Sequence, residues 1–250
     1  ITSNSNLDIN TFINQPNNIL GIEYIKALMR FNSKINPVPL KRLGAGYHSL
    51  DTGTKLASAT GIRTAMANKD NISGLLPDNC LNIIKNHTTI EYNDFSTVLG
   101  SKLLSMDTLD HIEGINQDLS NRIANNKYNF TDIETFIPML QSKNYTYSAI
   151  SRALLHIILD IKTDDIKEFV NNNYAMILGF TKKSGVLSEI SKSTKIPLVS
   201  KFATFYKEAD NNQRKMLDIN LKADNLYRMI YMNKTSEILP TEFQRQIIIK

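Results

Sequence analysis

The sequence predicts an α/β segment followed by a mainly α region, on three observations. An apolar helical stripe near the start runs into a short β-like stretch closed by a glycine-flanked loop. Small and hydroxyl residues then open a second helix, and beyond residue 70 the apolar spacing is helical almost throughout. A chain of 250 residues, 42% of them hydrophobic, has room for one large or two smaller domains with a sizeable core.

Taken in order, Asn17 or Asn18 is placed to cap a helix running to about Phe31, with Ile19, Ile22, Ile25, Leu28 and Met29 marking one face. Asn36-Pro37 is a stop signal. Residues 38–43 read as a short buried strand, and 44–53 as the loop beyond it, with Gly44 and Gly46 supplying backbone freedom. Helix, strand, loop and helix in that order form the closing half of a doubly wound α/β domain, in which ligands gather at the carboxyl ends of the strands.

The segment 57–63 admits two readings. Ser58 before a helix is an ordinary N-cap. The same Ser58-Ala59-Thr60-Gly61-Ile62-Arg63 run also makes an anion site, because the first N–H groups of a helix lack partners, glycine allows close approach and Arg63 adds a fixed charge. Arg42, at the end of the expected strand, is either a surface cation or a second anion ligand. His48, in the adjoining loop, reads more simply as an exposed histidine.

Past residue 68, short amphipathic helices are predicted over 81–85, 92–104, 115–125, 132–140, 147–161 and 164–172. Turn signals fall at 75–78 and 125–129. The change of pattern places a boundary near residue 70, dividing the chain into 1–70 and 71–250. Residues 196–199 and 241–250 suit either short strands or a docking helix.

The net charge of +5 is uneven: residues 1–63 hold seven Lys and Arg against three Asp and Glu. A basic surface there suits nucleotide or RNA phosphates, or is a solvated face. Two later stretches mix cations with aromatic or small residues: Lys143 to Tyr147 with Arg152, and Lys182-Lys183-Ser184-Gly185 with Lys192, Lys195 and Lys201. Such mixtures suit RNA, and equally suit a solvated face over core tyrosines. The lone Cys80 excludes an internal disulfide or a thiolate zinc cluster. No apolar run approaches the ~20 residues that span a bilayer. Residues 1–10 lack the regions of a signal peptide, so no membrane association and a cytoplasmic location are expected.

Four segments, in order, carry a family likeness: Gln15 to Tyr24, Leu40 to Leu43, Gly44 to His48, and Ser58 to Arg63. Further matches follow at Glu113-Gly114-Ile115 with Arg122-Ile123, Ser142 to Tyr147, Tyr174 to Phe180 and Ala223 to Tyr227. In this arrangement the chain resembles the later half of a HIGH-type nucleotidyltransferase domain, Rossmann-like in fold. More narrowly it resembles the tRNA(Met) cytidine acetate ligases, the likeness extending over most of 14–230.

That resemblance implies an ATP-binding part at 1–70 and a mostly helical tRNA-binding part at 71–250. It places Asn17, Arg42 and Leu43 at the ATP, and matches Ser58, Thr60 and Arg63 to a Ser-Ser-Thr-x-Ile-Arg phosphate motif in which Ala59 replaces the second serine. It implies ATP with Mg²⁺, acetate and elongator tRNA(Met) as ligands and partners. The expected reaction is ATP-dependent acetylation of the wobble cytidine through acetyl-adenylate. No His-x-Gly-His stands in the sequence. Family members carry that element upstream, so the chain is read as lacking that half, and catalytic residues are left unassigned. The alternatives are another nucleotidyltransferase, or a non-catalytic RNA-binding or interaction module.

Overall fold

The computed structural model describes residues 13–40, 57–169, 173–182 and 185–250. The chain divides into two compact units, Ile1–His87 and Thr88–Lys250.

In the first unit the described helices are α1 (Pro16–Arg30), α2 (Ala59–Ala67) and α3 (Asp78–Asn86). Pro16 opens α1 because its fixed φ suits the first helical position and its missing N–H costs nothing there. Gln15 is therefore the N-cap, without a side-chain cap bond, and Asn17 falls inside the first turn, in place of the capping role the sequence suggested. The helix ends at Arg30 with Phe31 as its C-cap, close to the expected end at about Phe31 and ahead of Asn36-Pro37. Phe31 N–H bonds Ala27 O at 3.0 Å, Ser33 N–H bonds Leu28 O at 2.9 Å, and Asn32 turns left-handed with φ 46°.

Of the strand expected over 38–43, Lys41, Arg42 and Leu43 lie outside the described residues, and 38–40 form no strand. Val38 is 79% and Leu40 91% exposed. A parallel strand is stable only against neighbours, and no described segment of the first unit offers one.

The second unit carries the large core. Its helices are α4 (Ser96–Ser105), following a 3₁₀ turn at Tyr92–Phe95, then α5 (Gln117–Asn126), α6 (Ile133–Leu140), α7 (Tyr147–Leu159) and α8 (Thr163–Phe169). Leu99 and Leu103 of α4, Leu119 and Ile123 of α5, Phe136, Ile137 and Leu140 of α6, and Ile150, Leu154 and Ile157 of α7 form one buried cluster. Phe130 meets Phe136 edge-on at 5.1 Å.

The N-terminus of α6, sunk against this cluster, has its free amides satisfied in turn: Ile133 N–H by Ser96 Oγ (3.1 Å), Glu134 N–H by Asn93 Oδ1 (3.0 Å) and Thr135 N–H by Asp132 Oδ1 (2.9 Å). At the other end of the core, α7 stops at Asp160, which is left-handed at φ 55°, rather than running on to 161. The loop 109–115 is stapled there, with His156 Nδ1 2.8 Å from Glu113 O, Glu113 N–H on Ile161 O at 2.9 Å and Thr163 N–H on His111 O at 3.1 Å. Gly114 takes φ 80° in that loop, which explains the glycine.

Beyond it come β1 (Ala175–Met176), β2 (Gly179–Phe180), α9 (Val186–Ser193), β3 (Leu198–Val199), α10 (Phe202–Glu208), α11 (Asn211–Thr235) and β4 (Ile248–Ile249). β1 pairs in parallel with β3, in the register Ala175 to Leu198. β2 pairs in parallel with β4, in the register Gly179 to Ile248. The stretches 196–199 and 241–250 thus contribute strands. α11, 25 residues long, and α10 have no counterpart among the elements expected from the sequence. The apolar side chains of α11 do not gather on one stripe, and only Leu217, Ile230 and Tyr231 are buried. A capping box, Asp210 with Gln213, starts it. No described helix is long and apolar enough to cross a membrane.

Two outcomes follow. A Cβ at Gly179 would stand 2.6 Å from Ile248 O, so Gly179→Ala is expected to force β4 off β2 and cost about 1–3 kcal/mol in urea denaturation, with the C-terminus becoming sensitive to carboxypeptidase. Lys234 Nζ lies 2.7 Å from the Asp94 carboxylate. Burial would raise the Asp94 pKa, but the hydrogen bond from Lys234, the backbone N–H of Glu91 and the Lys234 charge outweigh it and hold it below its ordinary value. The ionised form is thus favoured in the fold. Its contribution is full above about pH 4 and is lost as the pH falls through the lower folded value. Lys234→Met is expected to remove that part of the acid dependence, read as a flatter stability curve between about pH 2 and 4.

Candidate functional site

The N-terminus of α2 is built by Ser58. This residue is 1% exposed, and its Oγ accepts from Gly61 N–H at 2.9 Å, while its carbonyl accepts from Ile62 N–H at 2.9 Å. The capping reading of Ser58 is therefore realised. It does not exhaust the helix end, since the amides of Ala59 and Thr60 bond no described residue. Gly61 and Ala65 face inward, whereas Ala59 and Arg63, four apart and so on one side of the helix, are exposed with Thr60 half-buried beside them. Two N–H groups that bond no described residue, with a hydroxyl and a guanidinium at the positive end of a helix dipole, can hold a phosphate. The Ser58, Thr60 and Arg63 of the sequence reading thus share one turn.

The other expected ATP ligands are not joined to that turn. Asn17 is exposed on α1, and no hydrogen bond or ion pair among the described residues links it to 58–63. Arg42 and Leu43, with Gly44, Gly46 and His48, lie outside the described residues. The first unit also has a groove of about 630 Å³, lined by Tyr24, Ile25, Leu28, Phe31 and Val38. It is apolar, and none of Asn17, Ser58, Thr60 and Arg63 lines it.

In the second unit, the stretch 143–147 divides between scaffold and surface. Tyr145 packs on the core, and its hydroxyl donates to Asn116 Oδ1 at 2.6 Å, the same oxygen that caps α5 through Leu119 N–H at 3.0 Å. Tyr145 thus positions a helix cap, while its neighbours Lys143, Asn144 and Arg152 are exposed. Lys182, Lys192, Lys195 and Lys201 are exposed, while Lys183 and Ser184 lie outside the described residues.

A further cationic group, which residue spacing does not announce, lies at the end of α7. Lys222 of α11 donates to Leu159 O at 2.6 Å. Burial lowers its pKa, Asp160 opposes this, and the charges of Lys102 and Lys162 lower it further. Lys102 and Lys162, from separate elements, therefore each lie within electrostatic reach of Lys222. Positions 102, 162 and 222 are too distant in sequence to read as one patch.

Among the described residues no group of three or more His, Cys, Asp or Glu side chains could hold a metal ion. No protein ligand for magnesium is assigned, and magnesium at this turn would arrive on the phosphates it accompanies.

The sequence pattern of the HIGH nucleotidyl transferase family matches residues 2–241. The chain is 35% identical, over 87% of its length, to the tRNA(Met) cytidine acetate ligase of Caldanaerobacter subterraneus subsp. tengcongensis, of which it covers 56%. It is 31% identical, over 92% of its length, to the protein of that name from Thermoanaerobacter sp. (strain X514), of which it covers 59%. The chain thus spans somewhat over half the length of these relatives. Its fold matches Thermotoga maritima TmcAL in the apo form with a TM-score of 0.82, at 23% identity, over 95% of this chain and 61% of that one. It also matches the structure of the same protein bound with alpha-thio ATP, with a TM-score of 0.80.

Ser58→Ala is expected to remove the α2 cap and cost about 1 kcal/mol, with Ser58→Thr retaining most of it. Arg63→Ala, on the exposed face, is expected to stay within about 0.5 kcal/mol of the parent. Urea denaturation of the three variants separates the structural from the ligand-facing residue.

Proposed function

We propose that this chain, which belongs to the HIGH nucleotidyl transferase family, serves in an ATP-dependent ligase that acetylates the wobble cytidine of elongator tRNA(Met). The observation that carries the reading is its similarity, along most of its length, to relatives named for that activity. The α2 N-terminus supplies a chemistry that suits it.

In the first step an acetate oxygen attacks the α-phosphorus of ATP. The bond between the α-phosphorus and its bridging oxygen breaks, pyrophosphate leaves and acetyl-adenylate forms. Negative charge builds on phosphate oxygens along that path. The amides of Ala59 and Thr60, the Thr60 hydroxyl and Arg63 hold such oxygens and favour the charged transition state, with Asn17, Arg42 and Leu43 assigned to the same nucleotide. In the second step the cytidine N4 attacks the acetyl carbonyl, the carbon–oxygen bond to AMP breaks, and the amine gives up its proton as AMP leaves.

The second unit is assigned to the tRNA. Lys102, Lys162 and Lys222, with the exposed Lys143 and Arg152, would contact phosphates, and this part of the binding falls steeply with salt. A cytoplasmic setting goes with a tRNA substrate and with ATP.

The test is mass spectrometry of tRNA(Met) incubated with ATP, Mg²⁺ and acetate, using this chain alone and joined to an upstream segment carrying His-x-Gly-His. N4-acetylcytidine formed by the joined protein and reduced about 10²-fold or more by Arg63→Ala is the expected result. Absence of both acetylcytidine and acetate-dependent pyrophosphate release, with tRNA still bound, would replace the ligase by an RNA-binding module. Lys102→Ala with Lys162→Ala is expected to lower the slope of log affinity against log salt by about 1–2.

A further inference from the structure

The second unit contains a small concave site that the proposed reaction leaves unused. It measures about 270 Å³ and is lined by Tyr174, Phe202, Asn220, Asp224, Glu242 and Arg245 among others. These residues come from three parts of the chain: the approach to β1, the helices α10 and α11, and the C-terminal segment before β4.

The wall from the C-terminal segment is fixed at both ends. Upstream, Arg228 donates to Leu239 O at 3.0 and 2.7 Å. Downstream, β4 is paired to β2. Between them a turn is closed by Thr241 N–H on Gln244 Oε1 at 2.9 Å and by Arg245 N–H on Thr241 O at 3.1 Å. That turn presents Glu242 and Arg245 together, 3.1 Å apart, with the Glu242 side chain 13% and the Arg245 side chain 57% exposed.

Opposite, the Asn220 amide donates to the Tyr174 hydroxyl at 3.0 Å, which fixes the ring's edge. Phe205 backs that ring, with centroids 5.2 Å apart. Asp224 accepts no hydrogen bond from a described residue. Burial and the nearby Glu242 raise its pKa, while Arg245 pulls it back.

We infer that this pocket takes an unpaired nucleobase bearing an exocyclic amine, held between the Tyr174 face and the Asp224, Glu242 and Arg245 side chains. A base edge of that kind sets an N–H donor beside a ring or carbonyl acceptor. A carboxylate accepts from the first and a guanidinium donates to the second. An aromatic ring within a shallow pocket is how proteins hold splayed bases of single-stranded RNA. The volume lies just under the ~300 Å³ at which small-molecule pockets begin, enough for a base and too small for a whole nucleoside triphosphate. Uracil lacks the exocyclic amine and leaves Asp224 with a poorer partner. The inference rests on RNA being the substrate, and it adds a base contact located wholly within the second unit.

NMR titration of the whole chain with oligo(C), oligo(A), oligo(U) and, separately, spermidine tests it, observing the Asn220 side-chain amide and the Arg245 Nε–H. Oligo(C) and oligo(A) are expected to move both signals, with oligo(U) about tenfold weaker, and Asp224→Asn is expected to bring oligo(C) down to the oligo(U) level. Three results would overturn the pocket: equal response to oligo(U), response to spermidine but not to oligonucleotides, or no movement with saturating oligo(C). A gel shift with tRNA(Met) on the same protein separates the two ideas. If tRNA binds while both signals stay still, the pocket falls and the RNA reading stands; if no tRNA binds, the RNA reading falls and the pocket with it.

Discussion

Close packing around Phe136 is the constraint on which the second unit depends. That residue is fully buried, in contact with Phe130, and sits on a helix whose N-terminus is pressed against α4 and the preceding 3₁₀ turn. Of the first three amides of that helix, Ile133 N–H is buried and left bare would cost about 1–3 kcal/mol, while those of Glu134 and Thr135 lie at the surface. Ser96, Asn93 and Asp132 meet the first three. Those bonds in turn fix how Asn93 and Asp94 present themselves, and Asp94 is the residue that receives Lys234 from the far end of α11. The core thus orients the long C-terminal helix through a polar relay as well as through apolar contact.

Much of the core was legible because its helices are amphipathic in the simplest sense. The expected spans over 132–140 and 115–125 differ from α6 and α5 by at most two residues at either end, since buried positions recur at helical spacing and Asp132 is a recognisable cap. α10 and α11 escaped for the opposite reason. Only three residues of α11 are buried, and its apolar side chains spread around the axis, so no single face announces it. Four two-residue strands likewise carry too few positions to show an alternation. They show only in their pairing, Ala175 with Leu198 and Gly179 with Ile248.

The phosphate turn was legible in a different way. Ser58 to Arg63 has a capping sequence and an anion-binding sequence in the same letters: the cap is formed, Ser58 Oγ accepting from Gly61 N–H, and the proposed phosphate contacts rest on the Ala59 and Thr60 amides, which bond no described residue. Periodicity could not supply the approach of Lys102 and Lys162 to Lys222, nor the role of Tyr145 as the support of a helix cap. Each arises from side chains that meet only after α7 and its neighbours have packed. α1 shows the converse. Its apolar stripe is plain in the sequence, yet Ile19, Ile25 and Met29 are exposed by 46, 45 and 76%, so the stripe marks a helix without marking a core.

Two short segments that carry the family likeness, Tyr174 to Phe180 and Ala223 to Tyr227, lie far apart in sequence and meet at one small cavity. Most of their residues have structural duties: Ala175 and Met176 form β1, Gly179 admits β4 and Leu226 packs against the core. Those duties do not explain Asp224, which neither packs in the core nor accepts a bond from a described residue. Carboxylates on an exposed helix face are common. Here burial, and after it the nearby Glu242, raise the Asp224 pKa, so its ionised form is disfavoured. A ligand donor placed between them, with Arg245 at its side, relieves that cost, and the pairing of two carboxylates with one guanidinium around an aromatic ring is then a recognition surface with a chemical preference.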